Sequence, residues 1–267
     1  MVADPSGRDG GPDERAAFAA GVRGMFDRIA GIYDRMNRTM TAGLDREWRR
    51  RAADRTELEP GSRALDVCCG TGDLALELGE RVGPEGEVVG CDFSEPMLEL
   101  ARRKAAAAGA SWTRFEWADA LALPYGDGSF DAVTVGFGVR NFADLEQGLG
   151  ELVRVLRPGG RLVILEITQP RRAPLRWFFS LWFDRAVPML GTLAGDRAAY
   201  SYLPASVRRF PGPERLAAMV AAAGVGRVRY LILAGGIIAI HSGVKVRCFS
   251  TERRVSGGEA AARGSRR

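Results

Sequence analysis

Two carboxylates bracket a glycine turn in Leu65-Asp66-Val67-Cys68-Cys69-Gly70-Thr71-Gly72-Asp73. An apolar strand running into such a turn, with a helical pattern behind it, is where parallel α/β folds bind nucleotides. There Gly70 and Gly72 let backbone approach a ligand closely. No Gly-Lys-Ser/Thr follows, so a P-loop is excluded. A dinucleotide fingerprint would put its third glycine at position 75, which is Ala75; some fingerprints tolerate alanine, so the turn alone leaves that reading open. Charge separates the readings. A pyrophosphate wants helix N-terminal N–H groups and little negative charge. Asp66 and Asp73 instead suit a cationic ligand with an amino group, such as S-adenosylmethionine, which carries a sulfonium and an ammonium. Asp92 ends the next apolar run, 21 residues beyond Thr71, where a carboxylate can accept from ribose hydroxyls. The alternative for Asp92 is a partner for Ser94 at a helix cap. Asp119-Ala120 follows a third run, where an acid can accept an adenine amino group.

The elements that must position these groups alternate between strand and helix. Strands are expected at Arg63–Cys68, Glu87–Cys91, Thr113–Trp117, Phe130–Phe137 and, after the turn Arg157-Pro158-Gly159-Gly160, at Arg161–Ile167. Helices are expected over about 73–81, from Ser94 as cap to a stop at Gly109, and through Leu145–Leu156. Continuous apolar strands alternating with helices indicate a mostly parallel sheet covered on both faces. A helix at 213–223 and strands near 227–233 and 236–248 close the domain. Ahead of the sheet, residues 18–55 carry Val22, Met25, Phe26, Ile29, Ile32, Tyr33, Met36 and Met40 in steps of three and four, the face of one helix or two. Residues 1–17 read as a flexible leader and 170–210, rich in aromatics and Pro, as an inserted helical cover. Residues 244–267 read as a disordered basic tail, which leaves 18–243 as a single domain.

With 267 residues, 46% hydrophobic and 27% charged, the chain has enough apolar surface for a large α/β core, and wholesale disorder is excluded. The formal charge of +5 belongs to the end of the chain: residues 245–267 hold seven basic and two acidic residues, and the body carries 31 of each sign. A neutral body argues against a nucleic-acid enzyme, and the tail offers at most weak attraction to anionic lipid or nucleic acid. Cys68, Cys69, Cys91 and Cys248 supply neither a disulfide framework nor zinc-ligand spacing. No apolar run reaches the roughly 18–20 residues of a bilayer span, the longest being Leu231–Ile240. The polar, acidic start is no secretory signal, so a cytoplasmic protein is expected. A homodimer is compatible with the sequence.

GTGD, the acid in VVGCDFSEPML, the DA pair of WADALALPYGDGSFDAV, and RVLRPGGRLVILE together resemble class I S-adenosylmethionine methyltransferases. FDRIAGIYDRMNRTMTAGLDREWRR, LDVCCGTGD, GFGVRN, LRPGGRLVILEITQP, VPMLGTLAGDRAAYSYLPASVRRFP and GGIIAIHSG sharpen the match. In order over roughly 18–243, they are similar to the ubiquinone/menaquinone biosynthesis C-methyltransferase family, and LDVCC resembles its menaquinone branch. The resemblance implies an α/β, Rossmann-like methyltransferase fold with helices on both faces and an antiparallel C-terminal strand. It also implies methyl transfer from S-adenosylmethionine to a ring carbon of a reduced prenylated quinone such as demethylmenaquinol. A ubiquinone precursor or a soluble phenol is the alternative acceptor.

Such chemistry needs the ring carbon held in line with the sulfonium methyl and help in losing a proton; no metal is required. Arg140 and Asn141 of GFGVRN follow the fourth strand and so lie beside the methyl donor, with Arg140 expected over the acceptor rather than the donor. There Arg140 could stabilise a phenolate and Asn141 orient a water or hydroxyl, with a surface salt bridge as the alternative for Arg140. The pair Tyr33-Asp34 faces the donor in the family, although a core tyrosine is the alternative. Gly136 stands where relatives often carry Ser, so a donor contact there would come from backbone. His241, the single histidine, has a structural reading and a substrate or proton-transfer reading. The aromatic run Trp177–Phe183 could form a groove for the prenyl tail, touch the membrane surface at the inner face of the cell membrane, or simply pack.

Overall fold

Short apolar runs punctuated by glycine form the strands of this computed structural model, which describes residues 11–170, 173–181 and 197–246. They are β1 (Arg63–Val67), β2 (Glu87–Asp92), β3 (Thr113–Trp117), β4 (Phe130–Gly136), β5 (Leu156–Ile167), β6 (Val225–Leu233) and β7 (Ile238–Lys245). The helices are α1 (Pro12–Thr41), α2 (Leu44–Asp54), α3 (Asp73–Val82), α4 (Glu95–Ala108), α5 (Leu145–Val155), α6 (Ala173–Leu181), α7 (Arg197–Arg209) and α8 (Pro213–Ala222). One sheet takes the order β3-β2-β1-β4-β5-β7-β6, with β7 antiparallel to both of its neighbours and the first five strands parallel.

Side chains alternate across the strands. Leu65 and Val67 enter one core layer with Val133, Val135 and Ile164, closed by Leu149 and Leu152 of α5 and Leu216 of α8. Ala64 enters the other with Val88 and Leu165, closed by Ala52 of α2, Leu74 and Leu78 of α3 and Leu98 of α4. Burying one such leucine fully contributes about 1.5–3 kcal/mol. Asp66 shares the parity of Ala64, so its carboxylate is carried under α2 and α3. A third cluster, Met25, Ile29 and Ala30 with Met97 of α4 and Ala199 of α7, holds α1 across the sheet's carboxyl edge.

Several boundaries differ from expectation. Residues 12–17, expected in the leader, are helical: Pro12 opens α1 with Asp13 and Glu14 in its first turn, and Arg15 pairs with Asp144 at 2.7 Å. Pro at the first helical position and acids beside the helix dipole are start signals that precede the apolar periodicity. The 18–55 pattern is two helices, separated by left-handed Ala42 (φ +50°) and Gly43 (φ +80°). Val244 and Lys245, expected in the tail, belong to β7, and the Lys245 Nζ donates to the Leu156 carbonyl at 2.7 Å. Ser94 occupies the cap of α4 without capping it; its hydroxyl donates to Asp27 of α1 at 2.6 Å. In the 170–210 cover, α6 and α7 are helical as expected. Residues 1–10, 171–172 and 182–196, with Trp182 and Phe183, lie outside the described residues, as do Cys248 and the rest of 247–267.

Candidate active site

The carboxyl ends of β1, β2 and β4 open onto a cleft of about 260 Å³, walled by Gly70, Asp92, Asp119, Ala120, Gly136 and Asn141 together with Tyr33 from α1. Gly70 (φ +55°) has free space where a side chain would stand, so the backbone itself forms the wall. Gly72 (φ +86°) does not face the cleft; a Cβ there would lie 2.8 Å from Phe115, so this glycine serves helix packing. Gly136 lines the cleft by its backbone, as its lack of a hydroxyl requires.

Asp92 ends β2 with both oxygens held: Oδ2 accepts the Gly70 N–H at 2.9 Å and Oδ1 the Ser94 N–H at 3.0 Å. A carboxylate has about four lone-pair sites, so acceptor capacity remains for a diol in the cleft. Burial pushes its pKa up to about 6 against the opposing backbone hydrogen bonds. Asp119 is exposed at the cleft mouth, and its Oδ1 accepts the Leu121 N–H at 2.9 Å. Asp66 is not part of the wall. It lies behind it, fully buried, with Oδ1 accepting from Thr134 at 2.6 Å and Oδ2 lacking a well-formed hydrogen bond. The cleft thus offers a ribose acceptor, a bare backbone edge and an under-satisfied anion behind it, which fits an adenosyl group bearing a cationic amino-acid end.

Burial drives the Asp66 pKa to about 7, against the Thr134 hydrogen bond. A group that keeps its proton longer folded than unfolded stabilises fully below its unfolded value, and that stability is lost as pH rises through the folded one. Between about pH 4 and 7 this protein therefore loses stability at Asp66 as pH rises. Asp66→Asn is expected to raise the melting temperature of the ligand-free protein at pH 8 by roughly 3 °C or more, while weakening donor binding. An unchanged or lower melting temperature would show that the charge is compensated.

Thr71 and Asp73 do other work than the turn suggests. Thr71 Oγ1 donates to Asp34 of α1 at 2.6 Å and accepts from Lys104 of α4 at 2.9 Å, and Lys104 Nζ also lies 2.6 Å from Asp34 and 2.5 Å from Asp73. The Asp73 charge is thereby spent on Lys104 rather than on a ligand. Asp34 is spent likewise, and of the Tyr33-Asp34 pair it is Tyr33 that reaches the cleft. This latch and the Asp27–Ser94 bond fasten α1 over the cleft. Cys68 lines the cleft too, its thiol pushed well up by burial, so it is no nucleophile.

A second cavity of about 380 Å³ adjoins the first and shares Phe26, Tyr33 and Phe137 with it. Its wall is largely apolar, with Met25, Ile29, Trp48, Phe179 and Ile237. Phe137 holds a left-handed backbone (φ +62°), unusual for a bulky residue, at the boundary between the two. Arg140 faces this second cavity, not the cleft. Rather than making a surface salt bridge, it is buried, its Nη1 lying 2.7 Å from Glu166 Oε1 and also donating to the Phe137 carbonyl, while its Nε has no partner. Burial alone would weaken its charge, but Glu166, Tyr33 and Tyr202 keep the guanidinium pKa above its ordinary value. Asn141 belongs to the cleft, and its Oδ1 accepts from Tyr202 at 3.0 Å.

His241 is not brought to either cavity. It sits in β7, 2% exposed, with Nε2 against the Pro213 carbonyl at 2.9 Å and its ring beside Tyr230. Burial lowers its pKa, so it is neutral at pH 7. Of the aromatic run, Phe179 is buried in the second cavity's wall, and Trp177 is 74% exposed. Glu166, Phe137, Arg49 and Tyr202 are site residues that sequence reasoning passed over. A lone carboxylate inside the apolar run Leu162–Ile167 was the available signal for Glu166.

Among the described residues no group of three or more His, Cys, Asp or Glu could hold a metal ion, and no helix is long and apolar enough to cross a membrane. The ubiE/COQ5 methyltransferase family matches residues 13–245. The chain is 54% identical to the demethylmenaquinone methyltransferase of Thermus thermophilus over 82% of its own length and 99% of that relative. It is 52% identical to the protein of that name from Deinococcus radiodurans, over 84% and 92%. A ubiquinone/menaquinone biosynthesis C-methyltransferase of Geobacter sulfurreducens is 43% identical over 84% and 88%. Among solved structures, an S-adenosylmethionine-dependent methyltransferase from Thermotoga maritima superposes with a TM-score of 0.58 at 20% identity, covering 84% of this chain and 99% of that one. One from Aquifex aeolicus gives 0.53 at 20% identity, over 71% and 85%. At that identity the likeness bears on the fold alone.

Proposed function

The chain belongs to the ubiE/COQ5 methyltransferase family, and from that premise we propose that it methylates a ring carbon of a reduced prenylated quinone, converting demethylmenaquinol to menaquinol with S-adenosylmethionine as methyl donor. The observation that carries this reading is the pair of cavities meeting at Tyr33 and Phe137, one built for an adenosyl group and the other apolar with a buried guanidinium. When bound, the donor supplies a methyl on a sulfonium, an electrophile that needs no further activation.

The chain's own residues then have separable tasks. Asp92 holds the ribose, Asp119 and Ala120 meet the adenine edge, and Asp66 supplies negative charge behind the amino-acid end. Tyr33 and Phe137 form the seam across which the acceptor carbon is aimed, the positioning that turns a bimolecular encounter into a local one. Loss of the quinol hydroxyl proton places electron density on the neighbouring ring carbon. Arg140 stabilises the resulting oxygen anion from inside a low-dielectric chamber. The bound donor would supply its methyl to that carbon and leave as the neutral thioether, and the ring would then give up its proton to solvent. Asn141, fixed by Tyr202, orients the hydroxyl or a water at the seam.

The prenyl tail supports transient contact with a membrane surface, for which exposed Trp177, Leu181 and Leu44 are suited. The protein is accordingly read as cytoplasmic and peripheral to the inner face of the cell membrane. The direct test is a reaction of purified protein with S-adenosylmethionine and chemically reduced demethylmenaquinone, with a panel of soluble phenols alongside. Product heavier by one methyl from the quinol alone is the expected result. Turnover of the phenols alone would replace this acceptor assignment.

A further inference from the structure

Besides Arg140–Glu166, a second buried ion pair borders the apolar chamber. Asp45 and Arg49 sit one turn apart in α2, 2% and 8% exposed, with Arg49 Nη1 2.5 Å from Asp45 Oδ2. Asp45 Oδ1 also accepts from Thr41 at 3.0 Å, which fixes the carboxylate and through it the guanidinium. Helical pairs at this spacing ordinarily lie on solvated faces, where they contribute little. Buried among Met40, Trp48 and Ile237, this pair carries a desolvation penalty that apolar side chains of the same volume would avoid.

The free ends of the two arginines point to a reason. Among the described residues Arg49 hydrogen-bonds only through Nη1, to Asp45, and its Nε and Nη2 meet no acceptor there. Arg140 likewise engages Nη1 and leaves Nε without a partner. Both converge on Phe137: the Arg49 guanidinium carbon lies 5.4 Å from its ring centroid, and Arg140 donates to its carbonyl. A quinol brings two oxygens into such a chamber, on opposite sides of its ring. One sits beside the reacting carbon, and the other would be buried without a partner unless the wall supplied one.

We infer that Arg49, held by Asp45, is a second acceptor-binding residue, which hydrogen-bonds the ring oxygen para to the one that Arg140 stabilises. This rests on the quinol reading above and deepens it. The chamber then selects a para-dioxygenated ring by gripping it at both ends. The para oxygen is not the one that feeds electron density to the methylated carbon, so Arg49 acts on acceptor affinity and orientation rather than on nucleophilicity. That separates it from Arg140.

The test pairs two acceptors with two variants. The acceptors are reduced demethylmenaquinone and the matching prenylated 1-naphthol, which keeps the reacting side and lacks the para hydroxyl. With the natural chain the naphthol is expected to show a KM about tenfold or more above the quinol, the scale of one hydrogen bond to a charged group. Arg49→Met should raise the quinol KM by a similar factor, leave kcat within about threefold, and leave the naphthol KM unchanged, because the coupling partner is already missing. Arg49→Lys should fall between, since charge without the fork restores only part of the contact. Calorimetric donor affinity should be the same in all three proteins, which reports an intact fold independently of turnover. Equal KM increases on both acceptors, or no discrimination between them by the natural chain, would overturn the assignment of Arg49 while leaving the quinol reading standing. Failure of the natural chain to methylate either acceptor would overturn both. If Arg49→Met does not fold, a lysine variant with quinol KM unchanged overturns the inference and one with a selective quinol increase supports it.

Discussion

Replacing Arg140 by methionine is expected to lower kcat about a hundredfold or more, on the scale of one lost oxyanion donor. Donor affinity should stay within about threefold, because the guanidinium faces the apolar chamber and not the adenosyl cleft. The side chain's burial makes the effect large: at 6% exposure no water replaces the missing charge when a phenolate forms. The same burial gives the variant a second phenotype. Glu166, 2% exposed in that pair, is left without its cation, which destabilises a fold by about 3–5 kcal/mol when the survivor stays charged. Adding Glu166→Gln should return most of that stability and none of the rate, so folding and chemistry can be scored apart. Arg140→Lys should recover part of the rate through charge while missing the contact to the Phe137 carbonyl. Should Arg140→Met instead abolish donor binding with kcat intact at saturating donor, Arg140 belongs to the cofactor cleft.

Asp92→Ala should weaken S-adenosylmethionine by about 1.5–3 kcal/mol, roughly tenfold to a hundredfold or more in Kd. Two contributions act together. The ribose loses a charged acceptor, and the Gly70 N–H at the cleft wall loses the carboxylate that orients it. Asp92→Asn keeps the volume and one carbonyl acceptor, so its loss should be smaller. The carboxyl's pKa of about 6 adds a pH signature. The ionised form is the better acceptor, so donor affinity should fall as pH drops below about 6, and Asp92→Asn should remove this component and leave the one that Asp66 contributes near pH 7. Calorimetry across pH 5–8 on folded protein reads both effects, and unchanged affinity in Asp92→Ala would remove the residue from the site.

The order of strands and helices was legible because it depends on short windows. Thr113–Trp117 is a strand marked by alternation, with Arg114 and Glu116 between Thr113, Phe115 and Trp117, and Gly109 ends α4 in the left-handed conformation that glycine adopts freely. Asp92 was legible for the same reason: its place at a strand end is local, and strand ends on one edge of a parallel sheet converge. Pro12 was equally local, and it was missed only because periodicity starts after the cap that announces it.

What the tertiary structure decided is which charges are spent on one another. Asp73 and Thr71 stand in the glycine turn, yet Lys104 and Asp34, from helices distant in sequence, claim them. His241 looks reactive as a lone histidine, but the antiparallel pairing of β7 turns it toward Pro213 and Tyr230 and away from both cavities. Arg140 was expected over the acceptor, just past the fourth strand; it is Glu166, 26 residues on in the neighbouring strand, that fixes it facing the apolar chamber. Local pattern determines which elements form and which residues end them, since backbone preference and burial period extend over only a few residues. The partner of a charged side chain depends on sheet register and helix docking, which are settled by packing across the whole core.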